Sequence, residues 1–170
     1  RCGHITDGEG SLDFYYGFFS TGGERALDAL VDLVIAKNGD SLVLNDFTGT
    51  RMPWANGGSD GLEGDGDLFV RTLGIGMINE GLISMERVGV SPAKMTDAQL
   101  ETSAQWIAYI FDQAQVKWSD YPFNPNAGCV TDMLHFEFAT KPCPGAGMRG
   151  QIDAEQNRAR AIMKAAQEGE

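Results

Sequence analysis

The sequence predicts an α/β fold: a central mixed β-sheet flanked by α-helices, within one domain spanning residues 1–170. Three observations predict it. Strand-like apolar runs alternate along the chain with segments of helical period, and no internal repeat interrupts them. An Asn-Gly pair at 38–39 separates two apolar runs, the strongest short signal for a hairpin. A chain of 170 residues is long enough to bury about 70 % of its unfolded surface in one core.

The elements follow in order. Residues 1–6 read as a short strand that ends at His4. SLDFYYGFFS (11–20) is dense in aromatics and reads as a short amphipathic helix, with Tyr15, Tyr16, Phe18 and Phe19 taken as core and Gly22-Gly23 as its stop. LDALVDLVIAKNGDSLVLND (27–46) is the hairpin, and PWANGGSDGLEGDGD (53–67) a glycine-rich acidic loop. LFVRTLGIGMI (68–78) is a continuous apolar run suited to a buried central strand.

Thr96 and Gln99 form a capping-box signature that opens a helix running to about Gln115. Leu100, Ala104, Ile107, Ile110 and Phe111 recur at helical spacing within it, so that face belongs to the core. MLHFEF (133–138) alternates apolar with polar residues and reads as a strand that delivers His135. RGQIDAEQNRARAIMKAA (149–166) is a final helix with Ile152, Ala159, Ile162 and Met163 on one side.

Charge and composition exclude several functions. A formal charge of −11 opposes nucleic-acid binding, which needs a basic stripe. No run of about 18 apolar residues exists to span a bilayer, so no membrane partner is expected. Three cysteines do not make a disulfide scaffold; Cys2 and Cys129 stand either as two buried thiols or as one disulfide.

The chemistry concentrates in HFEFATKPCPG (135–145). The chain has two histidines, His4 and His135, and Cys143 follows the second by eight residues. Two neutral imidazoles and a thiolate suit a borderline-soft ion such as zinc, and three protein ligands leave the fourth tetrahedral position open to water, as in catalytic sites. A proline-glycine pair follows Cys143 and Lys141 precedes it by two residues.

This combination resembles the zinc-dependent N-acetylmuramoyl-L-alanine amidases, and most closely the phage lysin amidases, whose fold is shared with the peptidoglycan recognition proteins. His135, Glu137, Lys141 and Cys143 follow the family's spacing. His4 with Ile5-Thr6-Asp7-Gly8 is similar to its first-ligand strand, VIAKNG (34–39) to its hairpin turn, TLGIGM (72–77) to its central strand and MTDAQL (95–100) to the start of its long helix.

The resemblance implies a Zn2+ cofactor on His4, His135 and Cys143, and hydrolysis of the amide between N-acetylmuramic acid and L-alanine in peptidoglycan. Zinc would acidify its water and polarise the scissile carbonyl. Lys141 would help to bind the oxyanion. The expected partner is a muropeptide of the bacterial cell wall, reached by secretion or by release at phage lysis. With so acidic a chain, wall adhesion is expected from a separate wall-binding module or a local patch.

The proton acceptor is less clear from residues alone. Family members place a tyrosine early in the hairpin strand or a glutamate in the central strand, and the alignment above puts Val31 and Gly76 there. Neither accepts a proton. Asp7 stands as a relocated base or as an exposed turn carboxylate. Glu80 would lie roughly 13 Å along the strand from Gly76 at a rise of about 3.3 Å per residue, which disfavours it. Glu137 reads either as a partner of a ligand histidine or as a solvated strand residue.

Without a base, the alternative is a non-catalytic, zinc-containing peptidoglycan-binding domain of the same fold; a metal-stabilised interaction domain is a third class. A Cys143–His135 nucleophile pair is disfavoured, because no helix start is expected after Cys143 and His4 would be left unexplained. The acidic residues Asp60, Glu63, Asp65 and Asp67 lack the spacing of a calcium loop and read as a solvated rim. Trp54 and Asn56 read either as a groove edge for a sugar face or as a loop anchor.

Overall fold

The computed structural model describes Leu12, Tyr16 and residues 31–45, 83–89, 92–122 and 144–169. These residues form an α/β arrangement: a mixed sheet whose one face is covered by two long helices. Strands β1 (Leu33–Ile35) and β2 (Ser41–Val43) pair antiparallel, with Leu33 opposite Val43 and Ile35 opposite Ser41. Strand β3 (Met85–Arg87) lies parallel to β1 on its other side, with Val34 opposite Glu86, so the order is β2-β1-β3.

The hairpin forms where the Asn-Gly signal places it. Lys37, Asn38 and Gly39 make a three-residue loop in which Gly39 N–H donates to Ala36 C=O at 3.0 Å and Ala36 N–H to Asp40 C=O at 2.8 Å. Gly39 has φ +91°, the left-handed position that this loop type requires. The Asn38 side chain accepts from Asp40 N–H at 3.1 Å and fixes the turn locally.

Helix α1 (Asp97–Gln113) starts at the expected cap: Thr96 Oγ1 accepts from Gln99 N–H at 3.1 Å. The second half of the expected capping box is absent. Gln99 turns inward instead, and its Nε2 donates to Ile35 C=O at 3.0 Å and Val88 C=O at 2.8 Å. One amide thereby ties the helix to the ends of two parallel strands. The helix closes with Val116 N–H on Phe111 C=O and Gln115 N–H on Asp112 C=O, around Gln115 at φ 58°.

After α1 a short 3-10 turn (Trp118–Asp120) leads into Tyr121, which is fully buried and tilted against Phe111 at 4.8 Å between ring centroids. Two further helices follow, α2 (Gly145–Arg149) and α3 (Ile152–Glu168). The expected continuous helix over 149–166 is therefore corrected: a separate short helix precedes it, and α3 begins at Ile152. The break falls at Gly150-Gln151, where the Gln151 side chain bonds to the Met95 backbone instead of capping its own helix.

The principal core joins Leu33, Ile35 and Met85 of the sheet to Ala104, Ile107, Ala108 and Phe111 of α1 and to Ala159 and Met163 of α3. Of the residues expected on the core face of α3, Ile152 and Ile162 are half-buried. Their place in the stripe is taken by Glu155, which is 0 % exposed. Arg87, 1 % exposed, makes this possible. Its Nη2 lies 2.5 Å from Glu155 Oε1, and its Nε donates to Glu155 Oε1 at 3.0 Å and Ser103 Oγ at 2.9 Å. Ser103 Oγ also donates to the same carboxylate oxygen.

The opposite face of the sheet carries a smaller cluster of Val31, Val34 and Val88, packed by Leu12, Leu42 and Leu44. Leu12 and Tyr16 are both helical, in agreement with the expected helix there. Tyr16, however, is 60 % exposed and is not core, which corrects that expectation: a tyrosine ring can lie against the protein with its hydroxyl end in water.

Removing one partner of the buried pair leaves a charge without compensation, so Glu155→Ala is expected to cost about 3–5 kcal/mol. Glu101→Ala removes the exposed Arg158–Glu101 pair between α1 and α3 and is expected to cost under about 1 kcal/mol. Urea denaturation of both variants checks the contrast.

Candidate functional site

Glu86 departs most sharply from its surroundings. Strand parity puts it on the face opposite Arg87, in a row across the sheet with Leu42 and Val34. Its neighbours on that face, Val34 and Val88, are 0 % and 2 % exposed, and Glu86 itself is 1 % exposed. Burying a carboxylate in this row costs desolvation that a valine would not incur. A buried carboxylate on a sheet face is also suited to hold or transfer a proton.

Sequence reading missed Glu86 because it assigned the central strand to residues 68–78, which lie outside the described residues. The strand that pairs with the hairpin among the described residues is β3, beside β1. A signal was present. ISMERVG (83–89) alternates and ends in glycine, and it carries the glutamate sought at Gly76. Val31, expected at the tyrosine position, is 1 % exposed within the apolar cluster and offers no proton acceptor.

A second polar group closes one end of the sheet. Asp32, just before β1, accepts from Asn45 Nδ2 at 2.6 Å and from Ser84 N–H at 2.7 Å. Its own backbone bonds to both flanking segments, N–H to Ser84 C=O and C=O from Leu44 N–H. Burial pushes the Asp32 carboxyl above its usual range, against the pull of the Ser84 and Asn45 donors. These bonds hold the entries of β1 and β3 and the exit of β2 together.

The third element is the segment that follows Cys143. Pro144, Gly145 and Met148 are buried. Gly147 packs so closely on the 92–93 backbone that a Cβ there would stand 2.0 Å from Pro92 C=O and 2.4 Å from Ala93 C=O. Gln151 then bonds the Met95 backbone in both directions, accepting from its N–H at 2.6 Å and donating to its C=O at 3.1 Å. The onset of α2 at Gly145 corrects the expectation that no helix begins after Cys143: the Gly147 contact holds this short turn against the chain.

The expected ligands His4, His135 and Cys143, and the expected helpers Lys141 and Asp7, lie outside the described residues, as do Glu80, Glu137, Trp54, Asn56, Cys2, Cys129 and the acidic loop. Among the described residues no group of three or more His, Cys, Asp or Glu side chains is arranged to hold a metal ion. No helix among them is long and apolar enough to cross a membrane. No family model, no curated protein and no solved structure matches the chain.

Asp32 generates a pH prediction. Its folded pKa is raised, so the stability it contributes is complete below the unfolded value of 3.8 and is lost as pH rises through the raised folded value. Other carboxylates contribute their own slopes, so the comparison is with Asp32→Asn. The difference in unfolding free energy, wild type minus variant, is expected to fall as pH climbs from 3.8 towards neutrality, measured by urea titration at successive pH values.

Proposed function

We propose that this chain is a zinc-dependent N-acetylmuramoyl-L-alanine amidase acting on the peptidoglycan of bacterial cell walls. The observation that carries the reading is the spacing of His135, Glu137, Lys141 and Cys143 in one segment, with His4 as a distant second imidazole. The donor set suits zinc by its chemistry: two neutral nitrogens and a soft thiolate, with one coordination position left over. The described residues form an α/β arrangement, the class of fold that the reading expects.

Glu86 supports the catalytic form over the binding form. The sequence alignment left the site without a base, and that gap was the main argument for a non-catalytic domain. In this reading Glu86, a buried carboxylate on the strand beside the hairpin, fills that gap. In this proposal Glu86 takes the proton of the attacking water and passes it to the leaving amine, a role open to a carboxylate. Zinc, when held, supplies Lewis acidity at the scissile carbonyl. Lys141 contributes positive charge where the oxyanion develops.

Two measurements test this. Digestion of purified cell wall by the zinc-loaded protein is expected to release new L-alanine amino termini, and a chelator or His135→Ala is expected to abolish them. Hydrolysis that survives both would sink the amidase reading. Glu86→Gln keeps size and hydrogen-bonding capacity while removing the base, so turnover is expected to fall by about 10²–10⁴-fold with zinc content retained. If the variant turns over normally, the base lies elsewhere and Asp7 is the next residue to change.

A further inference from the structure

The hairpin turn is also the support on which the first half of α1 rests. Thr96 donates its hydroxyl to Lys37 C=O, Thr102 donates to Gly39 C=O at 2.8 Å, and Trp106 Nε1 donates to Ser41 Oγ at 3.0 Å. The approach at Gly39 is close: a Cβ there would stand 3.1 Å from Thr102 Oγ1 and 3.2 Å from Ala98 Cβ. The cap and first turns of the helix are thus fitted to the backbone spacing of the turn.

Asn38-Gly39 carries a chemistry as well as a conformation. The amide nitrogen after an asparagine can attack the side-chain carbonyl carbon, and glycine, without a Cβ, crowds that approach least. Here Gly39 N would bond to Asn38 Cγ while the Cγ–Nδ2 bond breaks, and Nδ2 would leave as ammonia with the Gly39 amide proton. Water then opens the cyclic imide at one or other of its carbonyls, and Asn38 is exposed to it. One opening gives aspartate at position 38. The other gives an iso-aspartyl residue, whose main chain runs through the side-chain carbon and is longer by a methylene.

The folded turn engages each atom that this reaction must free. The nucleophile, Gly39 N–H, donates to Ala36 C=O at 3.0 Å. The carbonyl under attack, Asn38 Oδ1, accepts from Asp40 N–H at 3.1 Å, and the leaving nitrogen, Nδ2, donates to Asp40 Oδ2 at 2.7 Å. We propose that Asn38 is a site of spontaneous deamidation, that the grip of Asp40 keeps it unmodified in the folded chain, and that its conversion unfastens the hairpin from α1.

The product does not fit the native turn. Aspartate at position 38 sets a carboxylate oxygen against Asp40 Oδ2 where an amide donor stood, and like charges at that spacing repel. The iso-aspartyl form lengthens the chain between the Lys37 and Gly39 carbonyls, whose spacing Thr96 and Thr102 match. None of these residues belongs to the amidase site proposed above.

The test ages the intact chain in neutral buffer and, in parallel, in urea, and reads deamidation at residue 38 by peptide mass spectrometry with fragmentation. Modification is expected to be about tenfold or more slower in the folded chain, because reaction waits for the turn to open. Asp40→Ala, shown to be folded by circular dichroism, is expected to approach the rate in urea. Asp40→Asn, which keeps an acceptor for Nδ2, is expected to stay near wild type. Hydrogen exchange reads the consequence: Asn38→Asp is expected to speed exchange of the Gln99 and Leu100 amides and to leave α3 unchanged.

Equal rates in buffer and urea overturn the protection by the fold, and wild-type rates in Asp40→Ala overturn the role of Asp40. Unchanged exchange at Gln99 and Leu100 in Asn38→Asp overturns the coupling to α1.

Discussion

The described structure depends on one buried charge cluster, where Arg87 of β3 meets Glu155 of α3 and Ser103 of α1. Three elements converge on a single carboxylate oxygen, and the ion-pair partners are 68 residues apart in sequence. An isolated buried charge costs several kcal/mol, so these groups tolerate burial only together and only in one geometry. That requirement makes the cluster a register lock. A one-residue slip of β3 would turn Arg87 to the other face and leave Glu155 alone among apolar side chains.

Locking Arg87 on the helical face also dictates where Glu86 goes. Adjacent strand residues point to opposite faces, so the pairing that secures Arg87 commits Glu86 to the row of Leu42 and Val34. A structural ion pair thus delivers an unrelated carboxylate to the opposite side of the sheet. The polar ties around it serve the same end. Gln99 spans the ends of β1 and β3, Asp32 spans their beginnings, and Gln151 brings the chain after Cys143 onto the loop that leaves β3. The short strands, three residues each, make these side-chain ties necessary, because few ladder bonds remain to hold them.

Sequence patterning was reliable where it read apolar spacing and turn chemistry. The Asn38-Gly39 turn, the Thr96 cap and the buried stripe of Ala104, Ile107 and Phe111 all appear as the residues imply. It failed at polar residues that point inward. Gln99 was read as part of a capping box and bonds strands, Glu155 was not singled out and sits in the core, and Gln151 was placed inside the final helix and instead precedes it. Binary patterning sorts polar residues to the outside, and nothing local announces a partner that arrives from 50 or more residues away. Tyr16 failed in the reverse direction, since an aromatic is assigned to the core unless geometry turns it outward.

The candidate site divides along the same line. The His135-to-Cys143 segment is local, so its donor types and spacing were open to inspection in the chain itself, and the resemblance to zinc amidases rests there. Which strand lies beside the hairpin is not local. The pairing of β1 with β3 is held by Asp32, Gln99 and Arg87, each bonding across the fold. The sequence by itself determined the hairpin and the long helix, because each is set by contacts within a few residues. Only the tertiary structure decided that Glu86 is a buried carboxylate on the sheet, because strand order and facing depend on partners distant in the chain.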